Sequence, residues 1–253
     1  MRSLSLKKRE HYRDTDDINI VAEKYTPLFE LIKKETKKQP ITIPIFTTNY
    51  DNIIEDFCCQ DDNFNLIDGV RYVKGHRGGI LDFREFEKLD QLENKINVVL
   101  LKLHGSICWE WDDKKKIIRV NPKPIDDLHD PEVYKFYIAP TKEKIASDHP
   151  YRELYEYLHR CLDNAKLFII IGYSFRDYDS LTKIKSSLDF NEDLKIIILN
   201  DKAEDLKKLL FGDYGNRVIP IPCFFGSDDE AKYLALIQEE IKKIRSDNPQ
   251  DRF

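Results

Sequence analysis

The stretch Phe46-Thr-Thr-Asn-Tyr-Asp51 decides the fold, because an apolar strand ends there and a helix follows. The preceding residues, Ile41-Thr-Ile-Pro-Ile-Phe46, are β-branched or aromatic, which is typical of a buried strand. The following residues, 52–57, have helical character. We therefore expect Asn49 and Asp51 at the carboxyl end of a parallel strand, where open α/β sheets bind ligands.

Three more apolar runs predict strands that end in polar residues. They cover 98–103, 167–171 and 194–199, and the run at 167–171 is apolar on both faces, which predicts a central parallel strand. Helices are predicted at 17–38, 50–60, 151–164, 177–188, 202–210 and 228–244, and a short strand at 218–222. This alternation indicates an α/β fold, a doubly wound Rossmann-like parallel sheet.

The segments between these elements carry weaker patterns. Residues 107–111 and 117–120 predict a small β-hairpin insertion with a polar loop. Residues 61–95 and 121–150 are predicted to be irregular, apart from a short helix near 83–93. We expect residues 1–40 to form a charged segment and an amphipathic helix, and residues 41–253 to form the Rossmann domain.

Composition excludes several classes of protein. The net charge is −5, which disfavours direct nucleic-acid binding, because phosphate recognition needs a basic surface. The five cysteines are irregularly spaced and include no CxxC pair, so neither a disulfide framework nor a zinc ribbon is expected. The sequence contains no apolar run of 18 residues, so no membrane-spanning helix is predicted. The sequence thus predicts a cytoplasmic protein with no metal and no membrane partner.

The strand ends carry the candidate chemistry, and we expect all of them at one edge of one sheet. The clusters are Thr48-Asn49-Tyr50-Asp51, His104-Gly105-Ser106, Gly172-Tyr173-Ser174-Phe175-Arg176-Asp177 and Asn200-Asp201. Helix N-termini at the same edge would favour phosphate. Gly105 would leave His104 accessible, and a neutral imidazole there could accept a proton.

Purely structural roles compete with these assignments. A histidine at a strand end is more often structural than catalytic. Asn49 and Asp51 could form an Asx turn and a helix cap, and Asp177 could be only the N-cap of its helix. The functional interpretation depends on the convergence of the clusters rather than on any single residue.

Three motifs together resemble the sirtuin-like NAD-consuming domains of bacteria and archaea, over about residues 41–225. They are Thr47-Thr-Asn-Tyr-Asp51 with Ile53-Ile54-Glu55, Leu103-His-Gly-Ser106 with Trp109, and Ile171-Gly-Tyr-Ser-Phe-Arg-Asp177. The combination is similar to the subgroup found in prokaryotic anti-phage defence proteins. Protein deacetylases of the family carry a four-cysteine zinc module, and this chain has no such pattern.

The resemblance implies a role for each matching residue. Asn49 corresponds to the asparagine needed to cleave the nicotinamide–ribose bond, and His104 to the general base. Asp51 corresponds to the aspartate that holds the nicotinamide carboxamide, and Thr48 lies beside it. Gly172 and Ser174 correspond to the loop that contacts phosphate and ribose, and Asn200 to the asparagine on the adenosine ribose. The implied reaction releases nicotinamide through an oxocarbenium-like state that water captures to give ADP-ribose.

One element of the family pattern has no counterpart in the sequence. The family opens with a strand and a Gly-Ala-Gly-type phosphate loop, whereas no glycine precedes residue 41. We therefore expect the chain to begin after that loop, as a truncated reading frame, a fragment of a longer enzyme or a degenerate relative. The expected protein partner is a second copy of the chain, in a homo-oligomer, or a longer parent chain. The sequence predicts an NAD hydrolase of the anti-phage defence type. The alternative is a non-catalytic sensor or scaffold that binds NAD or ADP-ribose.

Overall fold

A computed structural model describes residues 15–36, 41–72, 79–87, 95–112, 117–120 and 149–247. These residues form six α-helices, ten β-strands and two 3₁₀ helices. The helices are α1 (Thr15–Thr36), α2 (Ile53–Gln60), α3 (Tyr151–Asn164), α4 (Tyr178–Phe190), α5 (Ala203–Leu210) and α6 (Glu230–Asp247). The strands are β1 (Ile41–Thr47), β2 (Phe64–Ile67), β3 (Val70–Tyr72), β4 (Gly79–Leu81), β5 (Ile96–Lys102), β6 (Trp109–Asp112), β7 (Ile117–Val120), β8 (Leu167–Ile171), β9 (Lys195–Leu199) and β10 (Val218–Ile221). The 3₁₀ helices are Phe83–Glu87 and Gly212–Arg217.

The α/β class with parallel sheets is confirmed, but the strands are distributed over more than one sheet. The parallel strands form two three-stranded sheets, in the orders β1-β5-β2 and β10-β9-β8. The expectation of four strand ends on one sheet edge is therefore wrong for the described strands. The physical reason is that apolar runs specify strands but do not specify which strands pair.

The chain divides into two compact units. The first contains 1–22, 39–139 and 147–154, and the second contains 23–38, 140–146 and 155–253. The boundary between the units falls inside α1 and inside α3. Each unit contains one of the two parallel sheets.

The core of the first unit is built around β5. All seven residues of this strand are buried, since β1 and β2 pair with its two edges in parallel. Its side chains of Val98 and Leu101 have no exposed surface. Helix α2 contributes Phe57, whose ring centroid lies 4.9 Å from that of Phe64. Burial of this kind stabilises the unit by the hydrophobic effect.

The predicted hairpin is confirmed and belongs to a larger sheet. β6 pairs antiparallel with β7, and the four-stranded sheet has the order β3-β4-β7-β6. The expectation that residues 61–95 are irregular is wrong, because β2, β3 and β4 lie there. These strands have three or four residues each, too few for a periodic pattern to be recognised. Most of the expected irregular connection, 121–148, lies outside the described residues.

The core of the second unit is built around β9. Its last four residues are buried, and it pairs in parallel with β8 on one edge and β10 on the other. The expectation that residues 167–171 form a central strand is wrong among the described strands, since β8 lies at the end of its sheet. Residues from α1, from the sheet, from the segment after β10 and from α6 share one buried cluster, namely Leu28, Ile197, Leu199, Ile221, Cys223, Tyr233 and Ile237.

Helix α1 (Thr15–Thr36) confirms the predicted amphipathic helix over the residues that the structure describes. Leu28 is 6% exposed and lies in the core cluster of the second unit, with Leu31 and Ile32 packed against that cluster. Within the described residues, no helix combines the length and the apolar character that crossing a bilayer requires.

Candidate functional site

The Asn49 turn, residues 47–52, joins β1 to α2 and is fixed by its own short side chains. Thr47 Oγ1 accepts a hydrogen bond from the Asn49 N–H at 3.0 Å, and Asp51 Oδ1 accepts one from the Ile53 N–H at 3.0 Å. The Asx-turn interpretation is therefore confirmed for Asp51. Helix α2 begins at Ile53 rather than at the predicted residue 50. Its N-cap residue is Asn52, whose side chain makes no capping hydrogen bond.

The polar side chains of this turn differ in how much solvent they meet. Asn49 is exposed, and its carboxamide makes no hydrogen bond to any part of the chain that the structure describes. Thr48 and Asp51 are half-buried. Asn49 therefore retains the full donor and acceptor capacity of an amide, which a ligand can use.

The turn after β5 folds back onto the Asn49 turn. The register of β1 and β5 pairs Thr47 with Lys102, so the two strands end side by side. The Leu103 N–H donates to the Thr47 carbonyl at 2.8 Å, and the Ile107 N–H donates to the Tyr50 carbonyl at 3.1 Å. The structure thus brings the Asn49 turn and the His104 segment together in the first unit.

His104 lies in this turn and is 5% exposed. The expectation that Gly105 leaves it accessible is wrong. Gly105 has a φ of 94°, which allows the sharp turn, but the imidazole next to it is buried. The ring of Tyr50 lies 6.4 Å from that of His104, measured between centroids.

A buried ion pair lies beneath the Asn49 turn. Lys102 Nζ is 2.8 Å from Glu55 Oε1, and the two side chains are 4% and 8% exposed. The ammonium is also 3.3 Å from Ser106 Oγ and 3.3 Å from Asn52 Oδ1. Burial raises the pKa of the Glu55 carboxyl above its ordinary value, and the Lys102 ammonium opposes that shift.

Sequence reasoning missed the role of this pair, although a signal was present. Lys102 interrupts the apolar run 98–103 in a strand that is buried on both faces. A charged side chain in such a strand requires a partner, because an isolated buried charge is very costly. Glu55 on α2, the helix that follows the neighbouring strand β1, supplies that partner.

The Gly172 loop, residues 172–177, is the corresponding feature of the second unit. β8 and β9 end side by side, with Ile171 paired to Leu199, and the Gly172 N–H donates to the Leu199 carbonyl at 2.9 Å. Gly172 has a φ of 64°, and a Cβ there would meet no atom within 4 Å. Glycine is therefore required for its backbone conformation rather than for lack of space.

Phe175 stabilises the Gly172 loop in an unusual conformation. Its φ is 55°, which is rare for a bulky residue, and its ring is buried. The ring lies 5.2 Å from Phe211 and 4.9 Å from Tyr173, between centroids. Such strained positions cluster at ligand sites, where surrounding packing maintains them. The neighbouring Ser174 is exposed, and its hydroxyl makes no hydrogen bond within the described residues.

Asn200 connects the end of β9 to the Gly172 loop. Its Oδ1 accepts from the Lys202 N–H at 2.9 Å, and its Nδ2 donates to the Tyr173 carbonyl at 3.3 Å. A carboxamide has two N–H donors, so one of them remains for a ligand. Gly172, Ser174 and Asn200 thus lie together in the second unit.

Asp177 is the N-cap of α4, which confirms the capping role predicted from the sequence. Its carboxylate accepts from the N–H groups of Asp179 and Ser180, and from the hydroxyls of Ser180 and Tyr155 at 2.6 Å each. Burial and the hydrogen bond to Asp177 raise the pKa of Tyr155. The expected phosphate preference of helix N-termini does not apply to α4, because its own carboxylate occupies those donors.

Metal ligation finds no support in the parts of the chain that the structure describes. No group of three or more His, Cys, Asp or Glu side chains is placed there to hold an ion. The polar groups of the two strand-end regions include the carboxylates of Asp51 and Asp177 and the imidazole of His104, and the Asp177 carboxylate is already occupied by capping N–H groups and two hydroxyls.

Comparison with known proteins agrees with the motifs. A search of curated proteins gave no significant match. The family model described as SIR2-like domain matches residues 44–219, which is more than half of the chain. The match includes both the Asn49 turn and the Gly172 loop, confirms the sirtuin-like resemblance and points to an NAD-related function. The chain belongs to the SIR2-like domain family.

Proposed function

We propose that this SIR2-like domain binds NAD and hydrolyses it to nicotinamide and ADP-ribose. Water supplies the hydroxyl that replaces nicotinamide on the ribose, and one proton is released. The observation that carries the proposal is the exposed carboxamide of Asn49, which makes no hydrogen bond within the described residues and lies on a strand-end turn of the family domain. The buried Lys102–Glu55 ion pair lies beneath this turn and, with Asn52, fixes its conformation. A turn that only connects a strand to a helix does not require such a pair.

The Asn49 turn is proposed to act on the nicotinamide end of the substrate. Asn49 orients the ribose or the attacking water through its amide. Asp51 holds the nicotinamide carboxamide, and its Oδ2 is the carboxylate oxygen outside the Asx turn. Thr48 lies between Thr47 and Asp51, whose side chains fix the turn, and is proposed to line the nicotinamide end of the site.

His104 is the proposed general base. A neutral imidazole can take the proton from a ribose hydroxyl or from water near neutral pH. The imidazole is buried in the protein without substrate. We propose that its hydrogen bond to the reacting group forms when substrate binds. Catalytic hydrogen bonds commonly tighten in that way, so the geometry without substrate does not disqualify the residue.

The Gly172 loop is proposed to act on the phosphate and adenosine end. Gly172 allows the backbone to approach a ligand closely, and Ser174 offers a free hydroxyl. Asn200 offers its remaining N–H to a ribose hydroxyl. Since Asp177 occupies the N-terminus of α4, the phosphates would meet loop N–H groups rather than the helix end.

The experiment is a measurement of nicotinamide release from NAD by the purified chain. Asn49→Ala should abolish release without altering thermal stability, because the amide makes no hydrogen bond within the described chain. Asn63→Ala is the matched control, since Asn63 is an exposed asparagine of the same unit outside the turn. Absence of release by the wild-type chain over a wide range of protein concentration would contradict the proposal, and the concentration series also tests for an active homo-oligomer.

We further propose that the biological setting is anti-phage defence. The support is the motif combination, which resembles the defence subgroup and not the zinc-bearing deacetylases. In a bacterial host challenged with phage, NAD should fall in cells that carry the wild-type gene and should be maintained with Asn49→Ala. Equal NAD levels in both cultures would argue against this setting.

A non-catalytic sensor of NAD or ADP-ribose is the second candidate function. The burial of His104 favours it, because a covered imidazole is poorly placed to exchange protons with substrate. This candidate predicts calorimetric binding of ADP-ribose by a protein that releases no nicotinamide. Failure to bind either nucleotide would exclude both candidates.

A further inference from the structure

The ammonium of Lys102 contacts the backbone of the Asn49 turn as well as its ion-pair partner. Its Nζ donates to the carbonyl of Asp51 and lies 3.4 Å from the carbonyl of Tyr50. It is 3.3 Å from Asn52 Oδ1 and 2.8 Å from Glu55 Oε1. An ammonium has three N–H donors, so these oxygens share all of its capacity.

These contacts satisfy carbonyls that regular structure leaves without partners. β1 ends at Thr47 and α2 begins at Ile53, so the carbonyls of residues 50 and 51 lie between the two elements. Buried carbonyls need donors, and Lys102 and the Ile107 N–H supply them. The same side chain therefore connects the last residue of β5 to the segment that carries Asn49 and Asp51.

Glu55 makes this arrangement possible. A lysine that is 4% exposed is very costly without a counter-charge, and Glu55 lies at contact distance on the first turn of α2. Glu55 Oε2 has no hydrogen-bond partner in the parts of the chain that the structure describes. A pair kept only for stability would more readily be a pair of apolar side chains, since such replacements are often neutral or stabilising.

We propose that Lys102, neutralised by Glu55, is a positioning residue that holds the Asn49 turn in the conformation NAD cleavage requires. The inference rests on the proposed function. The donors of the Lys102 ammonium are taken up by the carbonyls of residues 50 and 51, by Asn52 and by Glu55, so it acts through the backbone of residues 50 and 51. Loss of its contacts should affect the chemical step more than substrate binding, because the contacts made by the Gly172 loop remain.

The test removes both charges together, in the double variant Lys102→Met/Glu55→Leu, so that no lone buried charge prevents folding. We expect kcat for nicotinamide release to fall by about 10- to 100-fold, because small misplacements of catalytic groups have effects of that size. KM for NAD should change by less than about threefold. The matched control is Lys195→Met/Glu240→Leu, a partly exposed pair in the second unit, which should keep wild-type kcat.

Hydrogen exchange provides a readout that does not require activity. In the double variant, the Asn49 and Ile53 amides, which donate to Thr47 and Asp51, should exchange at least about tenfold faster, while amides of β5 keep their protection. An inactive wild-type chain with this exchange pattern would contradict the proposed function and support the positioning role. Wild-type kcat together with unchanged exchange at residues 49–53 would overturn the positioning role. If the double variant does not fold, Lys102→Gln/Glu55→Gln replaces it under the same criteria.

Discussion

The Asn49 turn and the Gly172 loop occupy equivalent places, each at the carboxyl ends of two neighbouring parallel strands, but different forces hold them. The Asn49 turn lies over a buried ion pair, Lys102–Glu55, whose ammonium binds its carbonyls. The Gly172 loop relies on a helix cap by Asp177 and on left-handed backbone at Gly172 and Phe175. The difference shows that one family domain can fix two strand-end turns by charge in one unit and by local conformation in the other.

The largest expected effect is the loss of the buried charge. Lys102→Met should lower the free energy of unfolding by about 3–5 kcal/mol, because it leaves Glu55 buried without its partner. Adding Glu55→Leu should recover most of that loss. Urea denaturation measures both. The control is Lys195→Met, whose ion pair is partly exposed and should contribute about 1 kcal/mol or less to the free energy of unfolding. If Lys102→Met lowers the free energy of unfolding no more than Lys195→Met does, the buried charge does not stabilise the Asn49 turn.

Removal of the cap beneath the Gly172 loop should have the next largest effect. Asp177→Ala should lower the free energy of unfolding by about 2 kcal/mol, since it removes the α4 cap and the acceptor for the Tyr155 hydroxyl. Asp177→Asn keeps an acceptor for the capping N–H groups and should lose about half as much. Equal losses in the two variants, measured by thermal unfolding, would show that the cap itself contributes little.

Backbone conformation at the Gly172 loop gives a smaller effect. Gly172→Ala should cost about 1 kcal/mol, because φ is 64° although the new Cβ meets no atom. Gly212→Ala is the matched control, since its Cβ would also lie in open space but its φ is not in the left-handed region. Gly212→Ala should leave the unfolding free energy within about 0.5 kcal/mol of wild type. If both variants lose the same free energy of unfolding, the left-handed φ of Gly172 is not the cause of the loss.

The pH dependence of stability distinguishes the charged region beneath the Asn49 turn from the Gly172 loop. Burial raises the pKa of Glu55 above its ordinary value of 4.5, so the folded state binds this proton more tightly than the unfolded state does. Its contribution to stability is fully present below pH 4.5 and is lost as pH rises through the folded pKa. The slope from one such group is at most about 1.4 kcal/mol per pH unit.

Glu55→Gln should remove that slope from urea-denaturation series recorded upward from pH 4.5. Gly172→Ala carries no titratable group and should keep the wild-type slope. A Glu55→Gln series that runs parallel to the wild type would mean that the carboxyl has the same pKa in the folded and unfolded states.

The sequence predicted those parts of the molecule that depend on long apolar runs. β1, β5, β8 and β9 lie within two residues of their predicted bounds, because runs of four to seven consecutive apolar or β-branched residues specify a buried strand. Helix α3 has its predicted ends. Strand order was not predictable, since runs such as 98–103 and 167–171 carry no information about their neighbours in a sheet.

The candidate site was predictable in its residues and not in their surroundings. Residue type and spacing identified Asn49, His104 and the Gly172 loop. The burial of His104 depends on how the segment after β5 folds back to Tyr50, which is a contact between residues more than fifty positions apart. The partner of Lys102 likewise lies on a different element, so the charge in the strand indicated that a partner exists but not which residue it is.

The measurement that tests the account most directly is a calorimetric titration of ADP-ribose into the wild-type chain, Ser174→Ala and Asn49→Ala. Both residues are exposed and make no side-chain hydrogen bond within the described chain, so neither variant should disturb the fold. We expect the wild type to bind, Ser174→Ala to weaken binding about fivefold through one lost hydrogen bond, and Asn49→Ala to bind within about twofold of wild type. Absence of ADP-ribose binding by the wild-type chain would contradict the account.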